Sequence, residues 1–149
     1  MYAEGHVEAW ARIVEGAHLE DVRVGLRLGH AGRRGSARPR WEGLDRPLRD
    51  GGWPILSASP LPYTPRSRAP REMDSADLER VQADFARATE MAARAGFDLL
   101  MLHMAHGYLL AGFLSPLTNK RSDEWGGDRE GRARYPLRVF DAVRAAWPQ

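Results

Sequence analysis

The chain has 149 residues, 43% hydrophobic and 28% charged, an ordinary soluble composition with enough length for one domain and a real core. It contains no cysteine, which excludes disulfides, thiolate nucleophiles and cysteine-held zinc or iron–sulfur centres within these residues. The formal charge is only +2, and 21 of the 22 basic side chains are arginine, an excess that fits coding bias as readily as an anionic partner. No apolar run approaches the roughly 18 residues of a membrane helix, and the first residues lack the regions of a secretory signal. The expectation is a cytoplasmic protein with no membrane partner.

Val7, Trp10, Ile13, Val14 and Ala17 fall at helical spacing and predict an amphipathic helix ending near His18. From Asp21 to His30, Val22, Val24, Leu26 and Leu28 alternate with Arg23, Gly25, Arg27 and Gly29, the pattern of a strand with one apolar face. A flat surface strand and a barrel strand both explain it. Between Ala31 and Met73 the texture changes: seven of the ten prolines lie there, mixed with Gly, Ser and Arg. Trp41, Trp53, Ile55, Leu56 and Tyr63 predict a folded excursion anchored by these side chains rather than a linker.

Asp74 or Ser75 can cap the next helix, whose stripe is Leu78, Val81, Phe85, Ala88, Met91, Ala92 and Ala95, closed by Gly96. The nearly all-apolar run Phe97–Ala105 directly after it predicts a parallel strand buried on both faces. A last helix carries Leu137, Phe140, Val143 and Trp147, with Pro136 restricting its start and Pro148 ending it. Strands separated by helices imply βαβ construction and a parallel sheet. Only two strands are convincing, and two parallel strands leave both edges open and cannot close a barrel.

Chemistry concentrates after the second strand, in His103-Met-Ala-His106-Gly-Tyr108. In parallel α/β folds the carboxyl ends of strands carry the active site. Two imidazoles and a phenol there can donate hydrogen bonds to a carbonyl oxygen, and the tyrosine can deliver a proton. The bland alternative is a core histidine and a tyrosine that merely packs. A second cluster, Arg27-Leu-Gly-His-Ala-Gly-Arg33, offers charge and close backbone approach, or simply a glycine-rich turn with solvated arginines. It matches neither a dinucleotide fingerprint nor a phosphate-binding loop. His103 and His106 lack the glutamate and helical placement of a zinc motif, so no metal is expected. The basic stretch Arg33–Trp41 comes with no nucleic-acid motif, and a solvated loop is the commoner explanation of such a run.

Several segments occur in a telling order: Gly25-Leu-Arg-Leu-Gly-His-Ala-Gly-Arg33, Ala95-Gly-Phe-Asp98, His103-Met-Ala-His-Gly-Tyr-Leu-Leu110, Phe113-Leu-Ser-Pro-Leu-Thr-Asn-Lys-Arg121, Asp123-Glu-Trp-Gly-Gly127 and Arg132-Ala-Arg-Tyr135. Together they closely resemble the NADH:flavin oxidoreductase, or old yellow enzyme, family across nearly the whole chain. The likeness is greatest to the branch acting on aryl-CoA thioesters, which includes salicylyl-CoA hydroxylase and aminobenzoyl-CoA monooxygenase/reductase. The resemblance implies an FMN-binding TIM barrel that uses NAD(P)H and a small-molecule substrate. His103 and His106 resemble the donors that hold the substrate oxygen over the flavin, and Tyr108 resembles the residue that protonates the α-carbon. Arg27 stands where the family usually has a flavin-binding glutamine; it can donate but cannot accept. Gly131 replaces the usual asparagine, which is expected to loosen a helix entrance.

A complete barrel needs about 250 residues. The expected fold class is therefore α/β: a partial TIM barrel of about two βα units over residues 1–149, with the long proline-rich loop 31–73 after the first strand. The expected function is a segment of an FMN-dependent oxidoreductase acting on an unsaturated carbonyl or aryl-CoA-type substrate, inactive as an isolated chain. The alternative is a non-catalytic barrel fragment that pairs its open strand edges with itself or a partner.

Overall fold

A computed structural model describes residues 1–148. In chain order the elements are α1 (Glu4–Leu19), β1 (Gly25–Leu28), β2 (Leu56–Ser57), β3 (Arg71–Glu72), α2 (Ser75–Arg94), β4 (Leu99–Leu102), α3 (Leu109–Leu114) and α4 (Arg129–Ala146). The architecture is α/β. β1 pairs with β4 in parallel, Gly25 opposite Leu99 and Leu28 opposite Leu102, and β2 pairs with β3 in a second parallel sheet. The chain divides into two compact units, the first comprising residues 1–28, 79–103 and the C-terminal segment from Arg138, the second residues 29–78 and 104–137.

The first unit is built on the β1–β4 pair. Its core gathers Val7 and Val14 of α1 with Met91 and Ala92 of α2, Ala95 and Phe97, and Val24, Leu26 and Leu100 pack against it. The α1 stripe is narrower than the spacing predicts: Trp10 is 39% exposed and Ile13 56%. At roughly 100° per residue, Ile13 lies about 120° around the helix from Val7, beyond the side that the core covers. The predicted α2 stripe is buried throughout, and Asp74 is the cap. Asp74 accepts from the Asp77 N–H at 2.9 Å while Asp77 accepts from the Asp74 N–H at 3.2 Å, a reciprocal capping box. The Phe97 N–H bonded to the Ala92 carbonyl at 3.3 Å closes the other end.

Two further expectations are corrected. β4 is not buried on both faces: Leu99 is 63% and Met101 53% exposed, alternating with half-buried Leu100 and Leu102. Only the face turned to the helical core is covered, because β1 and β4 are the whole of this sheet. The last helix begins at Arg129, and Pro136, expected to restrict its start, lies inside it. Asp128 caps that start by accepting from the Gly131 N–H at 2.8 Å, and the large buried side chains are Tyr135, Pro136, Val139 and Val143, whereas Leu137 and Phe140 are exposed. Gly131 does not loosen this entrance. A methyl group there would collide with the Gly126 carbonyl oxygen, so the local backbone approach requires glycine.

In the second unit the loop after β1 is a folded excursion. Ile55, Leu56, Ala58 and Met73 are buried there, whereas Trp41 and Trp53 remain exposed and do not anchor it. Arg121 holds this unit together from a side chain only 6% exposed. It donates to the carbonyls of Ala58 at 3.2 Å and Met73 at 2.8 Å and pairs with Asp123. Beside it, Asn119 donates to the carbonyls of Phe113 and Trp125, and the buried Tyr135 hydroxyl donates to Leu78. A buried charge is tolerated only when its donors are satisfied, as here.

Two outcomes follow for stability. Arg121→Met removes the donor of two carbonyls and the partner of Asp123, so urea unfolding should show a loss of about 3 kcal/mol. In the first unit, Asp98 accepts from His18 at 2.8 Å, from Arg23 at 2.9 Å and from the Val24 N–H at 2.8 Å. The His18 hydrogen bond leads, followed by the Val24 N–H and Arg23, in holding the Asp98 carboxyl well below the usual carboxylate range. The folded value is depressed, so this stabilisation is complete above the ordinary aspartate value of about 4 and is lost as the pH falls below it. Asp98→Asn should therefore lower Tm at pH 7, with the gap to the parent narrowing progressively as the melt is repeated below about pH 4.

Candidate functional site

Because β1 and β4 run parallel, their carboxyl ends lie at the same end of the sheet. There His103 is buried, and its backbone N–H donates to the Leu28 carbonyl at 2.8 Å, extending the ladder one residue beyond β4. Arg27 stands exposed on β1 opposite Met101, on the face that also carries Gly25 and Leu99. Its guanidinium has no polar partner among the described residues. The chain passes from the first unit into the second between His103 and Met104, so His106 and Tyr108 belong to the second.

In that unit His106 adopts a left-handed backbone, φ 59°, uncommon for a residue with a side chain, and Gly107 follows at φ 70°. Such a turn persists when its surroundings over-determine it. Here the Arg34 Nη1 donates to the His106 carbonyl at 2.9 Å. Two further nitrogens of the same guanidinium bond both Asp45 carboxylate oxygens at 2.9 Å each. Its carbon lies 4.4 Å from the Tyr63 ring centre and 5.3 Å from that of Tyr108, within cation–π range of both. The Asp45 hydrogen bonds push the Arg34 guanidinium above its ordinary value against the cost of burial. One planar cation therefore fixes the turn carbonyl and the flank of Tyr108 together.

Tyr108 is the N-cap of α3, and the next residue is tied to the His30 loop: the Leu109 N–H donates to the His30 carbonyl at 3.0 Å. Gly32, at φ 57°, lies so close that a Cβ would sit 2.8 Å from the Leu109 N and Cα atoms. This is why the segment His30–Arg33 carries glycine there: the loop must touch the start of α3. Of the residues singled out from the sequence, His106 and Tyr108 share this clamped turn, while His103 and Arg27 lie in the first unit. Arg34 and Asp45 escaped the sequence reading, and Tyr63 was expected only as an anchor of the loop. The paired arginines signalled only charge, and Asp45 and Tyr63 sit 11 and 29 residues beyond Arg34 in a loop without periodicity.

The donor set fits part of a flavin. Toward the carboxyl end of the pair the exposed Arg27 guanidinium can donate to a pyrimidine carbonyl, and Met101 opposite it offers apolar surface.

Replacing the clamp should be visible without any ligand. Arg34→Gln keeps one donor but loses the fork and the cation–π contacts, so hydrogen exchange at the Tyr108 and Leu109 amides should speed up by about tenfold while the Leu28–His103 ladder is unchanged.

Comparison with known proteins agrees with this architecture. Residues 1–149 match the model of the NADH:flavin oxidoreductase / NADH oxidase family. An NADH:flavin oxidoreductase of Gibberella zeae is 36% identical over all of this chain and 37% of its own length. An NADPH dehydrogenase of a Geobacillus species is 35% identical over 99% of this chain and 39% of its own length. Among solved structures, morphinone reductase superposes with a TM-score of 0.85 at 28% identity, covering 98% of this chain and 41% of that one. An old yellow enzyme from a Pichia species gives 0.80 at 33% identity, covering 94% and 36%. The chain thus spans about 40% of the length of the relatives it matches, and its fold is that part of their TIM barrel. On the strength of the match along its whole length, this chain belongs to the NADH:flavin oxidoreductase / NADH oxidase family.

Proposed function

We propose that these residues form part of the substrate side of an FMN-dependent NAD(P)H oxidoreductase acting on an unsaturated carbonyl or aryl-CoA thioester. The observation that carries the reading is the placement of His103 at the carboxyl end of the parallel pair, with His106 and Tyr108 on the clamped turn that follows. A structure of morphinone reductase in complex with tetrahydroNAD supports a nicotinamide cofactor as the electron source.

Bound FMN would supply the hydride chemistry. The chain's own residues do the rest: the imidazoles of His103 and His106 donate hydrogen bonds to the substrate oxygen and stabilise the negative charge that develops on it. The Tyr108 hydroxyl delivers the proton to the α-carbon, held in place by the Arg34 clamp. Arg27 would help hold the flavin by donating hydrogen bonds to it. A cytoplasmic location is part of this proposal.

The residues described here do not turn over by themselves in this reading, because the β1–β4 sheet has one uncovered face. Purified alone and mixed with FMN, NADPH and an enone, the chain should stay colourless after gel filtration and oxidise no NADPH. Fused to the complementary barrel segments of a bacterial NADPH dehydrogenase, it should become a yellow enzyme. In that fusion Tyr108→Phe should slow enone reduction roughly a hundredfold while flavin reduction by NADPH is unaffected. An equal rate in the variant would remove the proton-donor role.

The exposed Leu99 and Met101 favour a second reading, a fragment that self-associates through its open sheet. Light scattering across a hundredfold range of concentration decides it: a defined oligomer supports the association, and a monomer throughout rejects it.

A further inference from the structure

The excursion after β1 carries the chain's one aspartate that is followed by glycine, Asp50–Gly51. In such a pair the aspartate side-chain carbonyl carbon lies within a five-membered ring's reach of the next amide nitrogen, and glycine puts no side chain in the way. The structure leaves this pair bare. Residues 49–54 are all exposed. Gly51 has a left-handed backbone, φ 68°, and nothing lies within 4 Å of the place a Cβ would take there. Among the described residues no hydrogen bond or ion pair reaches Asp50, and none restrains the Gly51 N–H.

Only the ends of this tip are fixed, and one buried residue fixes both. The Leu48 N–H donates to the Ser36 carbonyl at 3.0 Å, and the Trp53 N–H donates to the Ser36 hydroxyl oxygen at 3.1 Å. Between these anchors the backbone is free to bring the Gly51 nitrogen onto the Asp50 side chain. Arg68 lies alongside: a Cβ on Gly52 would meet its Nη1 at 3.1 Å. A cation beside the tip favours loss of the Gly51 amide proton, which makes that nitrogen a nucleophile. Asp74, followed by the small Ser75, is the contrast. Its carboxylate accepts from the Asp77 N–H at 2.9 Å and pairs with Arg71 at 3.3 Å, and Ser75 already belongs to α2.

We propose that Asp50–Gly51 is a site of spontaneous covalent modification, at which the native chain isomerises to isoaspartate. The Gly51 nitrogen attacks the Asp50 side-chain carbonyl carbon. The new C–N bond closes a succinimide, and the hydroxyl of the carboxylic acid leaves with the nitrogen's proton as water. Water then adds back at one of the two ring carbonyls. Attack at the side-chain carbonyl restores aspartate. Attack at the main-chain carbonyl breaks its bond to the Gly51 nitrogen, so the chain now runs through the side chain and an α-carboxylate is set free. No oxidant or reductant is needed. The product lengthens the main chain by one methylene between the two Ser36 anchors. This inference does not depend on the flavin reading, since the step needs neither FMN nor turnover.

Peptide mapping of the full chain against synthetic aspartyl and isoaspartyl standards tests it, after parallel incubation for several weeks in native buffer and in guanidinium chloride. Isoaspartate should accumulate at Asp50 in the native chain at a rate within about threefold of the denatured one, through a transient species lighter by one water. At Asp74 folding should slow the same reaction by about tenfold or more. Asp50→Glu, at an exposed position without a partner, should abolish the product by removing the five-membered ring, and should leave Tm unchanged. Slowing of Asp50 by more than about threefold in the native chain, equal protection of Asp50 and Asp74, or an isoaspartyl product that survives Asp50→Glu would overturn the proposal.

Discussion

The parallel pairing of β1 with β4 is the constraint from which the rest of the molecule follows. Parallel strands cannot be joined by a tight turn, so the chain leaving Leu28 has to cross back before Leu99 can lie beside Gly25. The crossover contains α2, whose apolar stripe supplies the core of the first unit, and the long excursion that precedes it. The same pairing brings both carboxyl ends to one end of the sheet, where His103 extends the ladder. Among the described residues this sheet has two strands, and the face that carries Arg27, Leu99 and Met101 is exposed.

The excursion is organised by arginines more than by apolar contacts. Arg121 satisfies two carbonyls and a carboxylate from within the second unit, and Arg34 satisfies a carboxylate, a carbonyl and the faces of two tyrosines. Both use the planar fork to serve several acceptors at once, which a lysine could not do. The arginine excess that composition alone ascribed to coding bias thus has structural employment at these two positions. At Arg33 the match is incomplete: the guanidinium lies over the Tyr63 ring and donates to the Pro62 carbonyl, while its buried Nε has no hydrogen-bond partner.

Legibility in the sequence depended on periodicity. The α2 stripe and its Asp74 cap were readable because a 20-residue helix repeats its pattern five times over. The β1 alternation was readable for the same reason. The start of α4 was not fixed by Pro136, which lies inside the helix, but by Asp128, which caps it eight residues before the proline. The two-residue strands β2 and β3 are too short to carry any period. His103, His106, Tyr108 and Arg27 were found through their motifs, while Arg34, Asp45 and Tyr63 were not, since nothing local relates side chains so far apart in the chain.

By itself the sequence determined the α/β class, the parallel order of elements and the cluster of donors after β4, because local patterns and short motifs encode them. Length also set the extent: 149 residues fall short of the barrel to which these motifs belong. Only the tertiary structure decided which charges are neutralised. A guanidinium between two rings and a carboxylate, and another with a nitrogen left unpaired, are products of close packing among segments that no spacing rule connects.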